Sequence, residues 1–110
     1  MSVDHAQLKT LMDIIGRDTL SRVKQSYFSD SQTKLVNLKT AIEANDLHQV
    51  EQLSHSLKSS SSNLALATLA SVFAHMESDA SQGQAENLSN LYLSAVDEYE
   101  QAVAEIDTLI

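Results

Sequence analysis

Residues 55–62 read HSLKSSSS: a histidine, a lysine three residues on, and a run of small hydroxyl side chains. Positions three and four apart share a helix face. On a helix, His55, Lys58, Ser59 and Ser62 therefore present a bare imidazole with one ammonium a turn away and little bulk around either. A neutral imidazole is a good nucleophile, and a phosphorylated ring nitrogen can pass its phosphoryl group onward. A neighbouring ammonium disfavours imidazolium and keeps the lone pair available near neutral pH. It can also stabilise phosphoryl oxygens during transfer. A carboxylate accepting the other ring N–H would fix the tautomer and aim the reactive nitrogen outward. Glu77 is the candidate, because positions 55 and 77 reach similar heights if their two helices run antiparallel.

Such a site needs helices, and the apolar pattern supplies them. Leu47, Val50, Ser54, Leu57, Ser61 and Leu64 fall on one side of a helix at about 100° per residue, with His55 pointing well away from that stripe. Four serines in a row ordinarily mark a linker, yet here they lie inside the helical period. Each costs roughly 0.5 kcal/mol relative to Ala in a helix, so small size must be useful. Asp4 reads as the cap of a first helix carrying Leu8, Leu11, Met12 and Ile15, with Gly16 as its stop. A second helix opens near Asp18 with Leu20, Val23, Tyr27 and Phe28 and continues through Leu35, Leu38 and Ile42; SDSQ, residues 29–32, is a place where it could kink or split. Residues 44–46, AND, read as a turn with Asp46 as the next cap. A fourth helix carries Leu66, Leu69, Phe73, Met76 and Ala80 up to Gly83. A fifth carries Leu88, Leu91, Ala95, Tyr99, Ala102 or Val103, Ile106 and Ile110. No stretch alternates with period two. The expected fold is all-α, an antiparallel four-helix bundle with a short additional N-terminal helix, in a single domain over residues 1–110.

Composition bounds the function. With no Cys, no disulfide or thiolate metal site can form, and the absence of Pro with only two Gly favours helices joined by short turns. Residues 1–39 hold six Lys/Arg against four Asp/Glu, whereas residues 40–110 hold eleven Asp/Glu against Lys58 alone. An acidic surface of that kind repels nucleic acid. No apolar run approaches the roughly 20 residues that span a bilayer, and the N-terminus lacks a signal peptide's pattern. A soluble cytoplasmic protein with no membrane or nucleic-acid partner is the expectation.

The segment LSHSLKSSSSNLALATLASVFAHME resembles the signature of bacterial histidine-containing phosphotransfer (HPt) domains, roughly AHxLKGSSxxLGAxxLxxxxxxLE. His55, Leu57, Lys58, Ser60, Ser61, Asn63, Leu64, Leu69, Met76 and Glu77 fit it, and the layout from IGRDTL onward is similar too. The resemblance implies a four-helix bundle, a phosphorylatable His55, a phosphate-assisting Lys58 and a ring-supporting residue at 77. Ser59 stands where the family usually has Gly, one turn after the histidine; it is the next smallest polar choice and should preserve access. Ala65 stands where a second Gly is common, which suggests that the helix ends a little differently there.

The implied function is that of a phosphorelay intermediate. It would accept a phosphoryl group on His55 from the aspartate of one response-regulator receiver domain, or of a hybrid sensor kinase, and pass it to another receiver aspartate. No cofactor is expected on this chain, since the Mg²⁺ of such transfers belongs to the receiver. Without a Gly-rich nucleotide loop, autophosphorylation from ATP is not supported. The partner should dock on the His55 face, over Leu11, Met12 and Ile15; a monomer keeps that face open, and nothing in the sequence demands a dimer. The initiating Met and short tails favour a free-standing module over one excised from a hybrid kinase.

Two other readings compete. His48, Glu51 and His55 share a helix face, but residues 48 and 55 stand roughly 10 Å apart along the axis, too far for one metal ion. A non-phosphorylated acidic helical adaptor would not need His55 and Lys58. Taken singly, His5, His48 and His75 read as ordinary surface residues.

Overall fold

The computed structural model describes residues 2–110. Among them there are five helices: α1 (His5–Ile15), α2 (Arg17–Glu43), α3 (Leu47–Asn63), α4 (Ala67–Ser81) and α5 (Leu88–Leu109). Helices α2 to α5 form the antiparallel bundle and α1 closes one end of it, the whole measuring 41 × 22 × 20 Å. Among the described residues no helix is long and apolar enough to cross a membrane.

The caps explain the boundaries. Asp4 and Asp46 accept from the backbone N–H groups of Gln7 and Gln49, satisfying donors that the first turns of α1 and α3 leave free. Helices α2, α3 and α4 all stop in the same way, with one residue in the left-handed region: Asn45 at φ 55°, Ala65 at 62° and Gly83 at 72°. In each, the next residue's N–H reaches back to the first free carbonyl, as from Asp46 to Ala41, Leu66 to Ser61 and Gln84 to Asp79. The α3 end is thus built as a glycine would build it, and not in a different geometry. Ala65 accepts a strain on the order of 1 kcal/mol, and its carbonyl is held by the Asp4 N–H at 2.8 Å.

Helix α2 runs 27 residues without a break through SDSQ. Ser31 is fully buried there, and its hydroxyl lies 2.8 Å from the Tyr99 hydroxyl of α5. One turn earlier on the same face, Tyr27 meets the buried Ser61 of α3, Oη to Oγ 2.9 Å, and the Tyr27 and Tyr99 rings lie 6.2 Å apart. The two hydroxyl pairs cross the bundle from α3 to α2 to α5. Burial pushes the Tyr27 phenol above its ordinary range, so it stays neutral. Around this ladder sit Leu20, Leu38, Val50, Leu57, Leu69, Phe73, Met76 and Ile106, all fully buried.

The α2 stripe departs from expectation at two places. Val23 is 38% exposed, and its neighbour Lys24 is buried at 4%. Lys24 reaches across to Asp107 of α5 at 2.9 Å, its ammonium 5.9 Å from the centre of the Phe28 ring. A long alkyl stem fills core space while its charge finds a carboxylate at the edge.

The N-terminal segment is tied down as well. The Val3 N–H and the His5 ring both reach the Glu105 carboxylate of α5, and the Gln7 side-chain amide donates to the Ser62 carbonyl of α3. Helix α1 therefore starts against the end of the helix that carries His55.

Replacing Tyr27 by Phe leaves the Ser61 hydroxyl buried without its partner and is expected to cost about 1–3 kcal/mol. Urea denaturation should show that loss, and adding Ser61→Ala should recover part of it. A single-mutant midpoint equal to wild type would contradict the pairing.

Candidate functional site: the His55 face

His55 lies in the middle of α3, on the side opposite its core stripe, with its side chain 61% exposed. Its Nδ1 is 2.9 Å from Glu77 Oε2 on α4. The other carboxylate oxygen, Oε1, is 2.6 Å from Lys58 Nζ. One carboxylate thus serves both residues. The register follows from the connection: His55 and Glu77 each stand eleven residues from Leu66, in the turn between the two helices. An antiparallel pair with a short turn places such positions level with each other.

The electrostatics hold the arrangement in one state. The hydrogen-bonded Lys58 ammonium keeps the Glu77 carboxyl below the ordinary carboxylate range; partial burial pulls the other way, and His55 adds to the lowering. An ionised carboxylate can only accept, so Nδ1 must be the protonated ring nitrogen. The lone pair then resides on Nε2, which has no hydrogen-bond partner among the described residues and lies on an exposed ring. Lys58, one turn on, is turned to Glu77 in this state, and its charge at the ring is largely balanced by the carboxylate.

The serines divide by side. Ser59 and Ser62 are exposed on the histidine's side of the helix and leave it low. Ser61 faces the bundle and meets Tyr27, while Ser60 bonds back to the Leu57 carbonyl. Of the three expected docking residues, Leu11 and Met12 are half-buried against the core and Ile15 is 38% exposed. Ile14 is more open, at 73%, and Val23 matches Ile15. Among the described residues, no group of three His, Asp or Glu side chains is placed to hold a metal ion.

Lys34 went unnoticed in the sequence. Its Nζ on α2 lies 2.6 Å from the hydroxyl of Ser56, the residue after His55, and 2.8 Å from Asp30 Oδ2. The hairpin register could have found it, since Lys34 and Ser56 stand eleven residues either side of Asn45.

Because Lys58 is the largest cause of the Glu77 shift, Lys58→Ala should move the Glu77 titration up toward the ordinary value of about 4.3. The wild-type carboxylate's contribution to stability is present above that ordinary value and is lost as pH falls through the depressed one. Carbon-13 shifts of the Glu77 carboxyl give both midpoints, and coincident curves would contradict the assignment.

The sequence profile of the Hpt domain matches residues 22–108, from the second turn of α2 to near the end of α5. No curated protein matches the chain. The crystal structure of histidine-containing phosphotransfer protein B from Pseudomonas aeruginosa PAO1 is similar over 97% of this chain and 92% of that one, with a TM-score of 0.90 and 21% identity. At that identity the likeness establishes the five-helix fold, and the profile, covering most of the chain, establishes the kinship: this protein belongs to the Hpt-domain family, the histidine phosphotransfer proteins of two-component phosphorelays.

Proposed function

We propose that the protein is a phosphorelay intermediate that takes a phosphoryl group from the aspartyl phosphate of one receiver domain onto His55 and returns it to the aspartate of another. The observation that carries this reading is the His55–Glu77 hydrogen bond at 2.9 Å, which leaves Nε2 as the open ring nitrogen. Nε2 attacks phosphorus, the N–P bond forms, the acyl-phosphate P–O bond breaks, and the receiver aspartate leaves as its carboxylate. The ring retains its Nδ1 proton and becomes cationic, and Glu77 stabilises that charge. Transfer onward reverses the same steps. The carboxylate therefore favours the phosphorylated ring without taking its proton, which suits a carrier that must load and unload.

Lys58 has two roles in this scheme. In the resting protein it holds Glu77 in place. With a phosphoryl group at Nε2, its one-third-exposed side chain can turn to the phosphoryl oxygens. Ser59 and Ser62 let the partner close over the ring. The Mg²⁺ that phosphoryl transfer requires would be supplied by the receiver. The module acts as a phosphocarrier with no kinase activity of its own, and as a monomer its His55 face stays open to receivers. The exposed apolar side chains Ile14 and Ile15 of α1 and Val23 of α2 are the docking contacts this reading assigns.

Incubation with a radiolabelled phosphorylated receiver domain should transfer acid-labile label to the protein, and His55→Gln should abolish it. Absence of label on the wild type, or label persisting in His55→Gln, would overturn the reading. In Lys58→Ala, transfer should slow on the order of 100-fold, while stability changes by less than about 1 kcal/mol because the pair is partly exposed. An unchanged rate would remove Lys58 from the chemistry.

A further inference from the structure

Lys34 is a cation that the chemistry above does not use. Its side chain is 28% exposed, and its ammonium is tethered to Ser56 Oγ at 2.6 Å and to Asp30 Oδ2 at 2.8 Å. Ser56 directly follows His55, so the ammonium sits on the α2 flank of the reactive ring, while Lys58 and Glu77 occupy the α4 flank. An ammonium has three N–H donors, and two of them have partners here. A surface lysine normally loses side-chain freedom when it forms a contact. One already held by two neighbours has less to lose. Asp30 is half-exposed and can exchange for another carboxylate.

The surroundings indicate what that carboxylate belongs to. A shallow groove between α2 and α3, lined by Val23, Ser26, Tyr27, Ser60 and Asn63, ends at Asp30. A partner seated over His55 and extending toward α2 reaches Lys34, level with Ser56, and there meets the end of this groove. Six of the chain's seven Lys/Arg lie within residues 1–39, in α1 and α2, and the remainder of the chain is strongly acidic. An acidic partner surface is therefore drawn to the α2 flank and repelled by the far side of the bundle, which fixes which way round it docks.

We propose that Lys34 is a specificity-determining anchor that pairs with a carboxylate at the rim of the docking receiver domain's phosphoacceptor site. The proposal rests on the phosphotransfer reading and adds a partner contact to it. Lys34 touches the partner rather than the phosphoryl group, so its loss should act on binding and leave the chemical step alone.

The test uses a panel of purified phosphorylated receiver domains and follows transfer to the wild type, Lys34→Ala, Lys34→Gln and Lys34→Glu at low and high salt. Lys34→Gln can keep a hydrogen bond to Ser56 without the charge, which separates the tether from the anchor. With a receiver that labels the wild type, Ala and Gln should each raise KM about tenfold and Glu more, with kcat within about twofold, and the differences should shrink in high salt. Wild-type KM in the Gln and Glu variants, or a fall in kcat at constant KM, would overturn the role of Lys34 and leave the relay function standing. A wild type that no receiver labels would overturn the relay reading, and the anchor with it.

Discussion

A single carboxylate organises the functional face. Glu77 accepts the His55 Nδ1–H hydrogen bond on one oxygen and pairs with the Lys58 ammonium on the other. Without it, the ring would turn freely and share its proton between both nitrogens, and the lysine would be a mobile surface charge. With it, a partly exposed histidine acquires one tautomer, one orientation and one open nitrogen. Since the three residues come from two helices, the arrangement is only as firm as the packing of α3 on α4. That packing is made largely of fully buried leucines with Phe73 and Met76.

The bundle solves two opposed requirements on α3. One side must be low and polar so that a partner can reach the imidazole, and the other must pack tightly. Serine serves both. Exposed, at 59 and 62, it keeps the surface flat. Buried, at 61, it lets α2 approach and pairs with Tyr27, whose ring contacts Tyr99 of α5 and whose helix sends Ser31 to the same residue. The serine run in this helix is the compromise between those two sides, and the buried hydroxyl pairs set the depth at which α2 docks.

Much of this was legible in the sequence, because it depends on period and on antiparallel symmetry. The five helices, both aspartate caps and the pairing of 55 with 77 follow from spacing about short turns. What was not legible depends on tertiary partners. Ser31 reads locally as a helix breaker, and only Tyr99, 68 residues away, makes it an interior residue. Lys24 looks like a surface charge until Asp107 and the Phe28 ring are in place, and its burial turns Val23 outward. Ala65 appeared to change the helix end, yet the backbone keeps the left-handed stop because the surrounding turn and the Asp4 hydrogen bond hold it. Lys58 was legible as a cation near His55, but its engagement with the same carboxylate as the ring was not.

Phosphotransfer as proposed turns on Glu77 fixing the Nδ1 proton and so making Nε2 the phosphoryl acceptor. The direct measurement is nitrogen-15 and phosphorus-31 spectroscopy of the protein after loading by a phosphorylated receiver domain. The expected result is a one-bond phosphorus coupling at His55 Nε2, with a proton retained on Nδ1. A phosphoryl group found on Nδ1, or on any other residue, would contradict it.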